Sequence, residues 1–246
     1  IAKKTGIGNK EPNQKEPKSD KEILYSDSVF PVVGIGASAG GLASIESFFK
    51  SFPADSEINM SFVIIQHLDP NHKSILTDLI SQYTNMNVNA AKEGVRIKPN
   101  SVYVIPPNYD LSILNKTLHL EKRNLQHTLH LPIDYFFRTL AEDQHENAIG
   151  IVLSGTGTDG TLGIKAIKGE GGIAIAETTE TAAYDGMPQS ALSTGMIDFV
   201  LPPDEIPNKL LSYTSRIYKD RIPTKPVIAP KTEETLKQIL TLLRSQ

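Results

Sequence analysis

Residues 32–41 read VVGIGASAGG, and the fold is decided here because one strand–turn–helix frame carries two incompatible site chemistries. From Gly34 the stretch spells G-x-G-x-x-A, a dinucleotide-binding turn. From Gly36 it spells G-x-S-x-G, a nucleophile elbow that presents Ser38. In both, an apolar strand runs into a helix beginning near Gly40 or Gly41. The unpaired N–H groups and positive dipole end of that helix suit a pyrophosphate or an oxyanion equally.

Outward from this stretch, short apolar runs alternate with amphipathic ones from Val29 to Val200. FPVVGIGA precedes GGLASIESFFKSF, SFVIIQ precedes HKSILTDLISQYT, and AIGIVLSG precedes TLGIKAIKGEG. GIAIAE follows, and MIDFVL leads into PDEIPNKLLSYTSRIYK. Strands apolar throughout are expected where helices cover both sheet faces. The alternation predicts an α/β fold: a doubly wound, mainly parallel, Rossmann-like sheet flanked by helices. In SVYVIPPNYDLSILNKTLHL, two β-like runs around Pro-Pro-Asn and Asn115-Lys116 predict an added antiparallel hairpin. LPIDYFFRTLAEDQHE reads as a helix burying Phe136, Phe137 and Leu140.

Three segments are expected. Residues 1–27 are rich in Lys, Glu, Asn and Pro and bury too little to order, so they read as a disordered linker or tail. Residues 28–220 form the folded domain. Residues 221–246 are a Pro-rich linker and the start of a connector helix. The chain opens on Ile rather than Met, which suggests a longer parent protein.

Composition removes several function classes. The 246 residues carry a formal net charge of -3, which is no electrostatic footprint for nucleic acid or anionic membrane. No apolar run approaches the roughly 18 residues of a membrane span, and the polar start has no signal-peptide core. Cysteine is absent, so thiolate catalysis, disulfides and Cys-ligated zinc are excluded, and a cytoplasmic location fits.

Strand-end logic chooses between the two chemistries. A dinucleotide site wants an acidic residue at the end of the second strand, for the ribose hydroxyls. That strand, SFVIIQ, ends at Gln66 and is followed by His67. Of six histidines, His67 alone sits at a strand terminus, which makes it the expected base for a Ser38 nucleophile. The strand AIGIVLSG opens a glycine-rich loop carrying Asp159, the expected acid. Its bland alternative is an N-cap for the helix TLGIKAIKG. Asp69 and Asp185 are weaker candidates. The order Ser, His, Asp differs from that of the α/β-hydrolases, so this triad would stand on another doubly wound scaffold.

GIGASAGGLASIESFF, VIIQHLDP, VYVIPPN, VLSGTGTDGTLG and YDGMPQSAL, in this order from about Val32 to Leu201, resemble the catalytic domain of chemotaxis protein-glutamate methylesterases, the CheB family. The resemblance implies hydrolysis of glutamate γ-methyl esters on methyl-accepting chemoreceptors with release of methanol, and deamidation of receptor glutamines. It calls for no metal or cofactor. The family's nucleophile, base and acid fall on Ser38, His67 and Asp159. Backbone N–H groups of Ala39 and Thr156 are the expected oxyanion donors, although the family often has Thr and Met at those two positions. Met187 and Pro188 are expected to line the substrate groove. HLDPNHKS, LPIDYFF and LAEDQ resemble the methylesterase module of fusion proteins in which a receptor methyltransferase module follows. The alternative is a catalytically silent docking module in a multidomain signalling protein.

Overall fold

The structure, a computed structural model, describes Ile1 and residues 29–54, 56, 58–66, 76–123 and 130–218. Apart from Ile1, the expected N-terminal tail lies outside the described residues, and so does the expected C-terminal linker and connector.

Seven parallel strands make the main sheet: β1 (Val32–Ala37), β2 (Ser61–Gln66), β3 (Asn87–Ala90), β5 (Ser101–Val104), β8 (Ala148–Val152), β9 (Ile173–Glu177) and β10 (Phe199–Leu201). Their order is β10-β9-β8-β1-β2-β5-β3. The doubly wound α/β architecture is therefore present, with β1 at its centre. The chain leaves β1 toward β2 on one side and returns as β8 on the other. The crevice between the carboxyl ends of β1 and β8 is thus a topological switch point, where open α/β sheets bind ligands.

Alternation along β1 explains the two layers. Val33, Ile35 and Ala37 face a core shared with α1 (Gly41–Lys50), α2 (Leu76–Ser81) and α6 (Ile206–Tyr218). Val32 faces the other core, with α3 (Pro132–Gln144), α4 (Thr161–Gly169) and α5 (Gly186–Leu192). In α1, Ile45, Phe48 and Phe49 recur at helical spacing. Phe48 and Phe49 meet Phe62 of β2 edge-on, with ring centroids 6.0 and 5.8 Å apart.

The glycines of VVGIG serve this packing. A Cβ on Gly34 would lie 2.8 Å from Phe137 Cε1, and one on Gly36 would lie 2.4 Å from Ile133 Cγ2. These two bare positions let α3 press onto the centre of the sheet. Gly36, the first glycine of the G-x-S-x-G pattern, lies inside the strand and makes room for Ile133.

The expected hairpin is β6 (Tyr109–Leu114) and β7 (Thr117–Lys122), but it does not extend the main sheet. With β4 (Val95–Arg96) it forms a separate three-stranded antiparallel sheet, while SVYV belongs to parallel β5. Its two-residue turn puts Asn115 and Lys116 at φ 51° and 58°. Such a turn favours Asn and Gly over Lys. Asp143 of α3 offsets this by accepting the N–H groups of Asn115 and Lys116 on its two carboxylate oxygens. Among the described residues no helix is long and apolar enough to cross a membrane.

If the Gly36 contact governs the seating of α3, Gly36→Ala should destabilise the fold by about 1–3 kcal/mol through overpacking. The loss should shrink in an Ile133→Ala background. Urea unfolding of the two single variants and the double variant measures the coupling, and strict additivity would contradict the packing account.

Candidate active site

Ser38 directly follows β1, half-buried, with its N–H donated to the carbonyl of Ser154 at 3.0 Å. The ladder thus continues past the ends of both strands, since Leu153 N–H also reaches the carbonyl of Gly36 at 2.9 Å. Gly40 then turns the chain in the left-handed region, at φ 73°, where a side chain would be strained. A Cβ there would also meet Ala183 Cβ at 2.7 Å. The helix α1 begins at once, so the backbone N–H groups of its first turn and its positive dipole end stand beside Ser38. The geometry is a strand-to-helix elbow with the serine at its apex.

The loop after β8 meets this elbow. A Cβ on Gly155 would lie 2.9 Å from Ser38 Cβ and 2.2 Å from Met187 Sδ, so only glycine permits this approach. Gly155 N–H donates to Tyr184 C=O, and Met187 N–H donates to Gly155 C=O, both at 2.9 Å. Met187 and Pro188 are buried in the first turn of α5. Both are expected to line the groove; Met187 is fully buried and its Sδ packs against Gly155. Ala39 and Thr156 are exposed on the two loops. Among the described residues neither backbone N–H has a hydrogen-bond acceptor. The two loops that carry them meet at Ser38 and Gly155.

β1 and β2 pair Ala37 with Gln66, and the residues that follow these two in the sequence are Ser38 and His67. His67 lies outside the described residues, as do Asp69, His72 and His127. The three described histidines are each bound to a carboxylate: His119 to Glu93, His130 to Asp110 and His145 to Glu170, at 2.9, 2.6 and 2.8 Å. A cavity of about 270 Å³ opens beside the end of β2, with Gln66, Tyr109, Arg123, His130 and Pro132 in its wall.

Asp159 is buried in the glycine-rich loop. Its Oδ2 accepts the N–H of Ile133 at 3.0 Å, and its Oδ1 accepts those of Asp134 and Gly160 at 2.9 Å each. It therefore caps α3, whereas the bland alternative had it capping the helix that follows. The helix that follows, α4, takes its cap from Asp134, whose Oδ1 accepts the N–H of Gly163 at 2.7 Å. Neither helix has a capping side chain at its own N-cap, and each borrows an aspartate from the other's start. Burial pushes the Asp134 carboxyl above its ordinary value. The Gly163 N–H opposes this, and the negative charge of Asp159 adds to it.

Strand-end reasoning missed Ser154 and Glu177, both fully buried. Each had a legible signal, being a polar residue at the carboxyl end of an apolar strand, in AIGIVLSG and GIAIAE. Glu177 Oε2 accepts the N–H of Ser154 at 2.8 Å, and its Oε1 accepts the Thr181 hydroxyl at 3.1 Å. Asp185, the other acid considered, is exposed at the N-cap of α5 and makes no side-chain cap bond.

Comparison with known proteins agrees with this geometry. Residues 33–210 match the CheB methylesterase family. The protein-glutamate methylesterase/protein-glutamine glutaminase of Pyrococcus horikoshii is 31% identical over 195 residues, covering 78% of this chain and 52% of that protein. That of Thermotoga maritima is 31% identical over 205 residues, covering 80% of this chain and 58% of that protein. The crystal structure of the Thermotoga maritima CheB methylesterase catalytic domain matches with a TM-score of 0.68 and 31% identity. It covers 75% of this chain and 98% of that chain. This chain spans about half the length of these curated relatives.

The crossed caps make a pH-dependent expectation. A carboxyl whose folded pKa is raised contributes stability below its unfolded pKa, about 3.9, and loses it as pH rises through the higher folded value. Asp134→Asn keeps the acceptor for Gly163 N–H and removes the buried charge. It should match or exceed wild-type stability at pH 7 and lose that advantage near pH 3, as read by thermal unfolding at both pH values. Asp134→Ala, which removes the cap, should cost about 0.5–2 kcal/mol.

Proposed function

Since the chain belongs to the CheB methylesterase family, we propose that it is a serine hydrolase acting on glutamate γ-methyl esters of a methyl-accepting chemoreceptor or a similar methylated protein. The observation that carries this reading is Ser38 at the apex of an elbow on the central strand, facing the Gly155 loop at the switch point.

In the proposed reaction, Ser38 Oγ attacks the ester carbonyl while His67 takes its proton. Asp159, held rigidly by three backbone N–H groups, orients the imidazole and stabilises its cationic form. The oxyanion of the tetrahedral intermediate binds the N–H groups of Ala39 and Thr156. Losing one such donor typically costs about 10²–10³ in rate. The intermediate expels methanol, which carries away the proton from His67. Water then attacks the acyl-enzyme with His67 as base, releasing the glutamate carboxylate and restoring Ser38. On a glutamine side chain the same steps release ammonia, which is deamidation. The esters require a methyltransferase to supply them, and the resemblance of HLDPNHKS and LPIDYFF to fusion proteins suits one in the same chain.

Methanol release from a methylated chemoreceptor signalling fragment tests the reading. Wild type should release methanol. Ser38→Ala should fold with an unchanged unfolding midpoint and lose at least about 10³-fold in turnover, since the nucleophile and its base act as a unit. A Ser38→Ala protein retaining most of its activity would overturn the assignment.

A further inference from the structure

Three loops, those that follow β1, β8 and β9, meet at a single fully buried hydroxyl. Ser154 Oγ accepts the N–H of Tyr184 at 3.0 Å and donates to the carbonyl of Ala39 at 3.0 Å. The carbonyl of the same residue accepts Ser38 N–H at 3.0 Å, and its N–H is held by Glu177 Oε2 at 2.8 Å. The other oxygen of Glu177 takes the Thr181 hydroxyl at 3.1 Å. Ser154 and Glu177 are both 0% exposed.

We propose that Ser154 and Glu177 are positioning residues that set the conformation of the nucleophile loop, an inference that rests on Ser38 being the nucleophile. Ser38 N–H and Ala39 C=O lie on either side of the Ser38–Ala39 peptide, and Ser154 binds both. The Ala39 N–H belongs to the peptide between these two fixed points, so it cannot turn away from the space above Ser38. This matters because Gly40 follows in the left-handed region, at φ 73°, and glycine backbone by itself rotates readily. Glu177 fixes Ser154 in turn. A buried carboxylate at the foot of the network is matched by an amide N–H and a hydroxyl, both donors. Its role here is as a two-point acceptor, and it does not touch the reacting atoms.

That distinction makes the proposal testable. Glu177→Gln keeps one acceptor for Ser154 N–H and meets the Thr181 hydroxyl with its amide, so geometry survives while charge is lost. In the full chain, amide hydrogen exchange at Ser38 should accelerate at least about tenfold in Ser154→Ala and in Glu177→Ala, as local opening becomes cheaper. It should stay near wild type in Glu177→Gln and Ser154→Thr, with Val33 and Ile35 of β1 as controls for global unfolding. On methylated receptor fragment, the two alanine variants should lose about 10²-fold in kcat with KM within about twofold, as expected for misplacement rather than lost binding. Should Ser154→Ala fail to fold, Thr181→Val removes one of the two donors that fix Glu177, loosens the hold of Glu177 on Ser154 while keeping the Ser154 hydroxyl, and should accelerate the same exchange by a smaller factor. Unchanged exchange at Ser38 in folded Ser154→Ala or Thr181→Val protein would overturn the proposal. So would a Glu177→Gln protein as impaired as Glu177→Ala, which would give the carboxylate charge a role of its own. If wild type releases no methanol, the hydrolase reading falls, and the exchange pattern still decides the positioning role.

Discussion

The crossed pair of helix caps between Asp134 and Asp159 is the constraint on which the rest of the candidate site depends. The first N–H groups of α3 and α4 have no partner within their own helices, and at this depth water does not reach them. An unmatched buried donor costs about 1–3 kcal/mol, so each helix start must find an acceptor from elsewhere. Here each acceptor sits at the start of the other helix. The two helices can therefore not shift independently, and Asp159 can take only one position. A residue whose side chain is fixed by three N–H groups is fixed more rigidly than packing alone would hold it.

This arrangement is possible only because α3 lies close against the sheet. Ile133, whose N–H binds Asp159, rests against Gly36, and Phe137 rests against Gly34 and Gly163. Bulk at any of these points would lift the start of α3 and move the Asp159 loop away from Ser38. The same glycines that suggest a phosphate-binding turn in the sequence are thus explained by the thickness of the layer beneath them. The candidate site chemistry lies in the second half of the stretch, where Ser38 follows the strand and Gly40 turns the chain.

A buried polar network completes the arrangement on the far side of the loop. Ser154 and Glu177 close the ends of β8 and β9, where a parallel sheet runs out of backbone partners. Met187 fills the space under Gly155. Polar atoms tie the loops together in register and an apolar side chain supports them. The exposed residues, Ala39, Thr156 and Tyr184, are left at the surface of the crevice.

Much of this was legible from residue order alone. Apolar strands alternating with amphipathic helices determined a doubly wound sheet, because the two periods report directly which faces are covered. The ends of those strands pointed to Ser38, His67 and Asp159 as expected site residues, since chemistry in open α/β sheets gathers at the carboxyl edge; of these, Ser38 and Asp159 are among the described residues. The antiparallel character of β6 and β7 followed from their turn, although their separation from the main sheet did not. What the sequence could not decide was which atoms compensate one another at long range. That Asp159 caps α3, that Asp134 caps α4, and that Ser154 joins Ala39 to Tyr184 are pairings across 25 to 115 residues. Periodicity carries no information about such partners. Each exists because packing removes water from a donor and leaves a particular acceptor within reach, and only the assembled tertiary structure determines which acceptor that is.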